Sequence, residues 1–382
     1  MCSTDGRSPD AALRRRYHAR ILHFARPSMN SSPSLPSAPR GASTWVKPLL
    51  FVLVAAIGLY YVKWSPYYLK SFVAADKHSI GGSILANAPT APWSAALDYA
   101  RVYFLAIWKA AVLGVLLGSL VQVLVPRDWL LRVFGQAGLG STLRGGLFAL
   151  PGMMCSCCAA PVVAGMRRQQ VSVGAALAFW IANPVLNPAT LVFMGFVLGW
   201  DFAALRLVAG VLLVVGVSLI AQRVAQADAL PQAALDAVAA ADLPAEDGRP
   251  FLLRWGAKLW QLSWTTIPVY IIVVLALGAA RVWLFPQVDA TMGNSLLWIV
   301  ALAVVGTLFV IPTAAEIPVV QSMLSLGMGV GPAVALLMTL PSISLPSLLM
   351  LRQSFTPRTL MTVTLLTMLI GAASGLAAVI LL

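Results

Sequence analysis

From Thr291 to Leu351 the chain runs through 61 residues with one charged side chain, Glu316. A run of that length cannot hide its apolar surface inside one soluble core. Similar near-uncharged runs recur through the 382 residues, 59% of which are hydrophobic and 10% charged. The solvent that suits such runs is lipid, where a helix satisfies its own backbone polar groups. The sequence therefore reads as an all-α polytopic membrane protein.

Apolar segments of about 20 residues, enough to cross a bilayer, lie at 46–64, 101–125, 204–222, 260–285 and 358–381. Between them are shorter pieces broken by Pro and Gly: 142–150, 156–166, 171–182 and 187–199, then 295–310, 314–326, 330–340 and 343–351. The hydrophilic stretch 223–254 reads as a linker between two halves, 101–222 and 255–382. Residues 1–45 read as a disordered tail rich in Ser, Pro and Arg, and 46–64 as one extra transmembrane helix.

Charge gives the tail a role. The chain carries a formal +13, and residues 1–47 hold eight Arg or Lys against Asp5 and Asp10. Basic segments beside a membrane span hold the cytoplasmic side. The tail lacks the interleaved aromatic residues of a nucleic-acid arm, and no short apolar run with a cleavage site follows its arginines, which speaks against a cleaved signal peptide. Met29 is an alternative start to Met1.

The second half repeats the first. At an offset of 157, Pro161, Val162 and Val163 fall on Pro318, Val319 and Val320; Met166 falls on Met323, Gly174 on Gly331 and Pro184 on Pro341. One added residue brings Pro188 onto Pro346. With the tail inside, Arg127, Arg132, Arg144, Arg167 and Arg168 all stay inside if 142–166 is a re-entrant hairpin rather than a full span. Segment 295–326 then dips in from the opposite side. Three spans per repeat give inverted topology, with discontinuous helices meeting near the midplane.

The residues that can carry chemistry sit at the breaks, since irregular backbone in a membrane is tolerated only where protein or a water-lined cavity serves it. Cys155, Ser156, Cys157 and Cys158 form a soft-ligand platform for a thiophilic species, with the three thiols as ligands of a metalloid cargo. The competing reading is that cysteine serves as a small packing residue. A structural zinc site is disfavoured because His18, His23 and His78 lie outside the repeat core. A redox dithiol is disfavoured because Cys155–Cys157 and Cys157–Cys158 lack the usual two-residue spacing.

Glu316 stands opposite Ala159 at the 157 offset and reads as a proton-coupling or substrate carboxylate, or as the cap of its hairpin helix. Asn183 and Asn187 supply amides at one break, and Ser342 and Ser344 supply hydroxyls at the other. A water channel would place one Asn-Pro motif in each half, and here both fall in the first. With no intramembrane His and no phosphate-binding loop, the chain reads as neither an enzyme nor an ATPase, and it calls for no cofactor.

The segment "PGMMCSCCAAPVVAGMRRQQVSVGAALAFWIANPVLNPATL" resembles the signature of the ArsP-type predicted permease family, the YraQ-like membrane proteins. The likeness is specific at Cys155, Ser156, Cys157, Pro161, Gly165, Gly174, Pro184, Asn187 and Pro188. It implies a multi-pass permease of the bacterial inner membrane, some of whose relatives export arsenite or trivalent organoarsenicals. Cys158 and the "AEIP" of the second half depart from that pattern. The expected function is a secondary permease exporting a thiophilic small solute by alternating access. The alternatives are a permease for another soft or sulfur-containing solute, and a channel or assembly component. The partners are the cargo and the lipid bilayer, with a homo-oligomer compatible and nucleic acid excluded.

Overall fold

The structure, a computed structural model, describes residues 43–85, 92–227, 250–285 and 293–382. Residues 45–382 form one compact unit. The basic tail with Cys2, His18, His23 and Met29, and the middle of the linker, lie outside the described residues. Among those described, every regular element is helical.

The chain opens with α1 (Ser43–Leu59), which passes through a π turn, Tyr60–Trp64, into α2 (Ser65–Lys77) without stopping. The extra helix thus runs 13 residues past the apolar segment ending at Trp64. Seven helices follow in the first half: α3 (Pro92–Leu124), the short α4 (Arg127–Leu130), α5 (Leu139–Ala149), α6 (Ser156–Arg168), α7 (Val173–Val185), α8 (Pro188–Val197) and α9 (Trp200–Leu212). A further π turn carries α9 into α10 (Ser218–Ala227). The second half holds α11 (Phe251–Leu284), α12 (Leu296–Leu308), α13 (Glu316–Ser325), α14 (Val330–Ser342), α15 (Leu345–Leu351) and α16 (Pro357–Leu381). Helices α3 and α11 begin earlier than the apolar runs at 101 and 260, because their first turns are helical without being strongly apolar.

The breaks follow from local chemistry. Pro188 has no N–H, so α7 cannot continue through it, and Asn187 instead caps α8 by accepting from Ala189 N at 3.0 Å and Thr190 N at 3.3 Å. In the second half Ser344 and Ser347 form a reciprocal capping box at the start of α15. Two further breaks separate α5 from α6 and α12 from α13. Each contains a non-glycine residue in the left-handed region, Met153 at φ 47° and Ala314 at φ 68°. Such conformations are costly and persist only where the surroundings impose them.

Seven stretches among the described residues are long and apolar enough to cross a membrane: Val46–Lys77, Pro92–Leu124, Val173–Val197, Trp200–Ala227, Phe251–Arg281, Val330–Leu351 and Pro357–Leu381. The paired helices α5–α6 and α12–α13 are different. At 11, 13, 13 and 10 residues they extend about 15–20 Å each, against a hydrocarbon core of about 30 Å. Helices α5, α7, α8 and α9 begin at 139, 173, 188 and 200, and α12, α14, α15 and α16 at 296, 330, 345 and 357, a constant step of 157.

Small residues set the closest packing. A Cβ on Gly114 would meet the carbonyl of Cys158, and one on Gly118 the carbonyl of Pro161, so α3 and α6 touch backbone to backbone. Gly145 brings α5 equally close to Ala175 of α7, and Gly331 and Gly375 do the same for α14 and α16.

Candidate functional site

The four breaks meet in the buried centre of the unit. Helix α6 starts there with Ser156, and the residue before it, Cys155, has extended backbone. Ser156, Cys157 and Cys158 are buried with it, at 4%, 1% and 1% exposure. Cys155 and Cys158, three positions apart across the first turn, bring their sulfurs to 2.9 Å. Cys157 projects the other way, to Ser344 Oγ at 3.0 Å, where the hydroxyls of Tyr103 and Tyr270 also lie beside it. All three thiols are free. They do not converge on one point, and among the described residues no group of three His, Cys, Asp or Glu is arranged to hold a metal ion. The pair that meets, Cys155 and Cys158, has the two-residue spacing that the Cys155–Cys157 and Cys157–Cys158 comparisons passed over.

Ser344 links the two halves. Its Oγ lies 3.2 Å from Ser156 Oγ and 3.0 Å from Ser347 Oγ. Trp180 Nε1 donates to Ser156 O at 2.9 Å and so fixes the first turn of α6 from α7. Asn183 serves the break before α6: its Oδ1 accepts from Met154 N at 3.4 Å while its Nδ2 donates to Phe179 O. Asn187 is buried as a helix cap and its Nδ2 has no partner. Ser342 turns back on its own helix, donating to Met338 O at 2.5 Å, and does not join the cluster.

Glu316 begins α13 and does not stand alone. Arg206 of α9 donates from Nη1 to Glu316 Oε1 at 2.9 Å, and both side chains are 1% exposed. The guanidinium also donates from Nη2 to Pro184 O at 2.8 Å and from Nε to Val185 O at 3.1 Å. These are the carbonyls orphaned by the α7–α8 break. Pro184 O would accept from residue 188, a proline without a donor, and Val185 O from Ala189 N, which Asn187 has taken. Arg206 thus repairs the break and neutralises Glu316 with one planar fork. Sequence reading missed it, although Arg206 is the one charged residue between Phe202 and Gln222, and an intramembrane charge calls for a partner.

Glu316 Oε2 is buried with no partner. Glu316 is one of the residues lining a small, largely enclosed cavity, with Cys155, Pro184, Ile311, Pro312, Thr313, Ala314 and Pro341. The space open to the centre of a water molecule there is about 10 Å³, room for a single water. Cys155 and Glu316 therefore share one cavity between the breaks of the two halves.

The extra helix also reaches this centre. From its π turn, Lys63 donates to Thr313 Oγ1 at 3.1 Å and Tyr67 OH at 3.2 Å. The adjacent Trp64 donates from Nε1 to Pro151 O at 2.8 Å. Consecutive residues of one turn thus hold the second-half break and the first-half break.

The family described as "Predicted permease", ArsP_1, matches residues 145–381. "UPF0718 protein YraQ" of Escherichia coli (strain K12) is 64% identical over 316 residues, which cover 83% of this chain and 90% of the relative. "UPF0718 protein MJ0584" of Methanocaldococcus jannaschii is 25% identical over 307 residues, covering 63% of this chain and 82% of the relative. No solved structure matches. With its seven apolar helices of membrane-crossing length and a family match over more than half its length, the chain is a multi-pass membrane protein that belongs to the ArsP_1 family of predicted permeases.

Proposed function

We propose that this protein is a secondary permease whose two halves are inverted-topology repeats, and that it exports a thiophilic small solute, such as arsenite or a trivalent organoarsenical, by alternating access. The observation that carries this reading is the shared cavity. Two pairs of half-length helices end at one buried point, where the first contributes Cys155 and the second Glu316. The step of 157 shared by four of the five matching helix starts, with 160 for α6 and α13, supports the duplication. Arg144, Arg167 and Arg168 on one hairpin support a cytoplasmic side for its open end and for the N-terminus.

Cargo capture is thiol chemistry. Each E–OH bond of a trivalent hydroxide E(OH)₃ is exchanged for an E–S bond, and the thiol proton and the hydroxide leave together as water. Cys155 and Cys158 are placed to act as a pair, with Cys157, Ser156 and Ser344 behind them. Asn183 holds the backbone that presents Cys155, and Asn187 and Arg206 hold the α7–α8 break. Glu316 is the residue that exchanges a proton with the passing cargo.

The test is uptake of arsenite and methylarsenite into everted membrane vesicles carrying the wild-type chain or the triple Cys155, Cys157, Cys158→Ser variant. Thiol-dependent accumulation is the expected result. Equal background signal in both would remove the metalloid cargo and return the cysteines to packing.

A further inference from the structure

The extra helix lies mostly on the outside of the unit, with only 11% of its most apolar stretch buried. Yet one of its charged side chains, Lys63, is 5% exposed. The π turn Tyr60–Trp64 makes this possible, because the additional residue in the turn swings Lys63 off the lipid-facing surface. A buried ammonium is expensive at membrane depth. Its hydrogen-bond partners are the neutral hydroxyls of Thr313 and Tyr67, and the Tyr67 ring lies 5.2 Å away; no carboxylate pairs with it among the described residues. It also lies close to the Cys155 and Cys158 thiols.

The charge has an opposite pole. Thr313, which Lys63 holds, lines the same cavity as Cys155 and Glu316, whose Oε2 has no partner. Arg206 neutralises Glu316 through the other oxygen. The cavity therefore has a cation one residue behind its Thr313 wall, and a carboxylate residue and a soft sulfur among its lining. The first turn of α6 contains no acidic residue to offset the positive end of its helix dipole.

We propose that Lys63 is a binding residue of the transport site, and that with Glu316 it selects the oxyacid form of a soft element. In the open form that alternating access requires, one oxygen of the cargo accepts from Lys63, one O–H donates to Glu316 Oε2, and the soft centre faces Cys155; the cavity seen here, with room for one water, is the closed form of that site. Three elements make the site, not two, and the first of them lies outside the segment that the family match covers. This rests on the thiophilic permease reading and narrows it: a bare soft cation offers neither the acceptor nor the O–H.

The experiment is equilibrium binding to the purified full-length protein in lipid nanodiscs, with arsenite, antimonite and Cd²⁺ as separate probes. The wild type is compared with Lys63→Met, Lys63→Arg, Glu316→Gln and the triple Cys→Ser variant. Folding is checked by size-exclusion profile and by Cd²⁺ binding, which needs the thiols alone. Lys63→Met is expected to weaken arsenite and antimonite by tenfold or more while leaving Cd²⁺ within twofold, and Lys63→Arg is expected to recover most of the loss. Equal losses for all three probes, or none, would overturn the proposal and leave Lys63 as a clamp on Thr313. Thiol-dependent Cd²⁺ binding with no arsenite or antimonite binding by the wild type would also overturn it while the thiophilic reading stands. Loss of every thiol-dependent signal in the wild type would remove both.

Discussion

Arg206 and Glu316, 110 residues apart in sequence, meet at 2.9 Å in the buried centre of the protein, and the same guanidinium closes the two carbonyls that Pro188 and Asn187 leave open. Removing one partner of a buried pair strands the other charge, at a cost of about 3–5 kcal/mol, whereas removing both strands none. Arg206 has a second task at Pro184 O and Val185 O, so its loss should cost more than the loss of Glu316.

Thermal unfolding in detergent should therefore rank Arg206→Met below Glu316→Gln in stability, with the double variant less destabilised than the two single losses added together. Strict additivity would mean that the pair is not energetically coupled.

The thiols should behave as a pair plus one. Phenylarsine oxide, which needs two neighbouring thiols, should be retained by Cys157→Ser and lost at least tenfold by either Cys155→Ser or Cys158→Ser, as read from arsenic stoichiometry after gel filtration. Equal loss from all three single variants would restore a three-thiol site.

Hairpin topology has its own readout. Arg144, midway along α5, and Arg168, the last residue of α6, are both exposed. In a cysteine-free background, Arg144→Cys and Arg168→Cys should both react with a membrane-impermeant maleimide in everted vesicles and neither in intact spheroplasts. Labelling from opposite sides would make α5–α6 a full crossing.

Much of this architecture is legible in the string of residues. Uniform apolar runs locate the spans, and Pro and Gly locate the breaks, because both act locally through a missing N–H or a missing Cβ. What the string does not display is which distant groups share a point. Lys63 sits beside Trp64 at the end of an apolar run, where it reads as the membrane boundary; only the π turn and the further helix to Lys77 turn it inward. Arg206 was visible as a lone charge, but its partner is set by how α9 packs beside the α7–α8 break. The cysteine cluster is obvious, while its division into a facing pair and an outlier follows from where the first turn of α6 begins. Of the residues expected at the site, Ser342 and Asn187 bond only within their own helices.

The glycine contacts decide what can move. Where Gly114 and Gly118 press α3 onto α6, and Gly145 presses α5 onto α7, there is no layer of side chains to slide, so each contact ties its two helices into one rigid block. The two arms of the first hairpin are thus pressed onto different helices, α6 onto α3 and α5 onto α7, and the six residues from Leu150 to Cys155 are the seam between them, braced by Trp180 and Asn183 of α7. The thiol pair stands at the end of that seam. On the proposed alternating-access reading, rocking that opens a path to one side of the membrane flexes the backbone that presents Cys155, so access to the cargo and the grip on it are mechanically coupled.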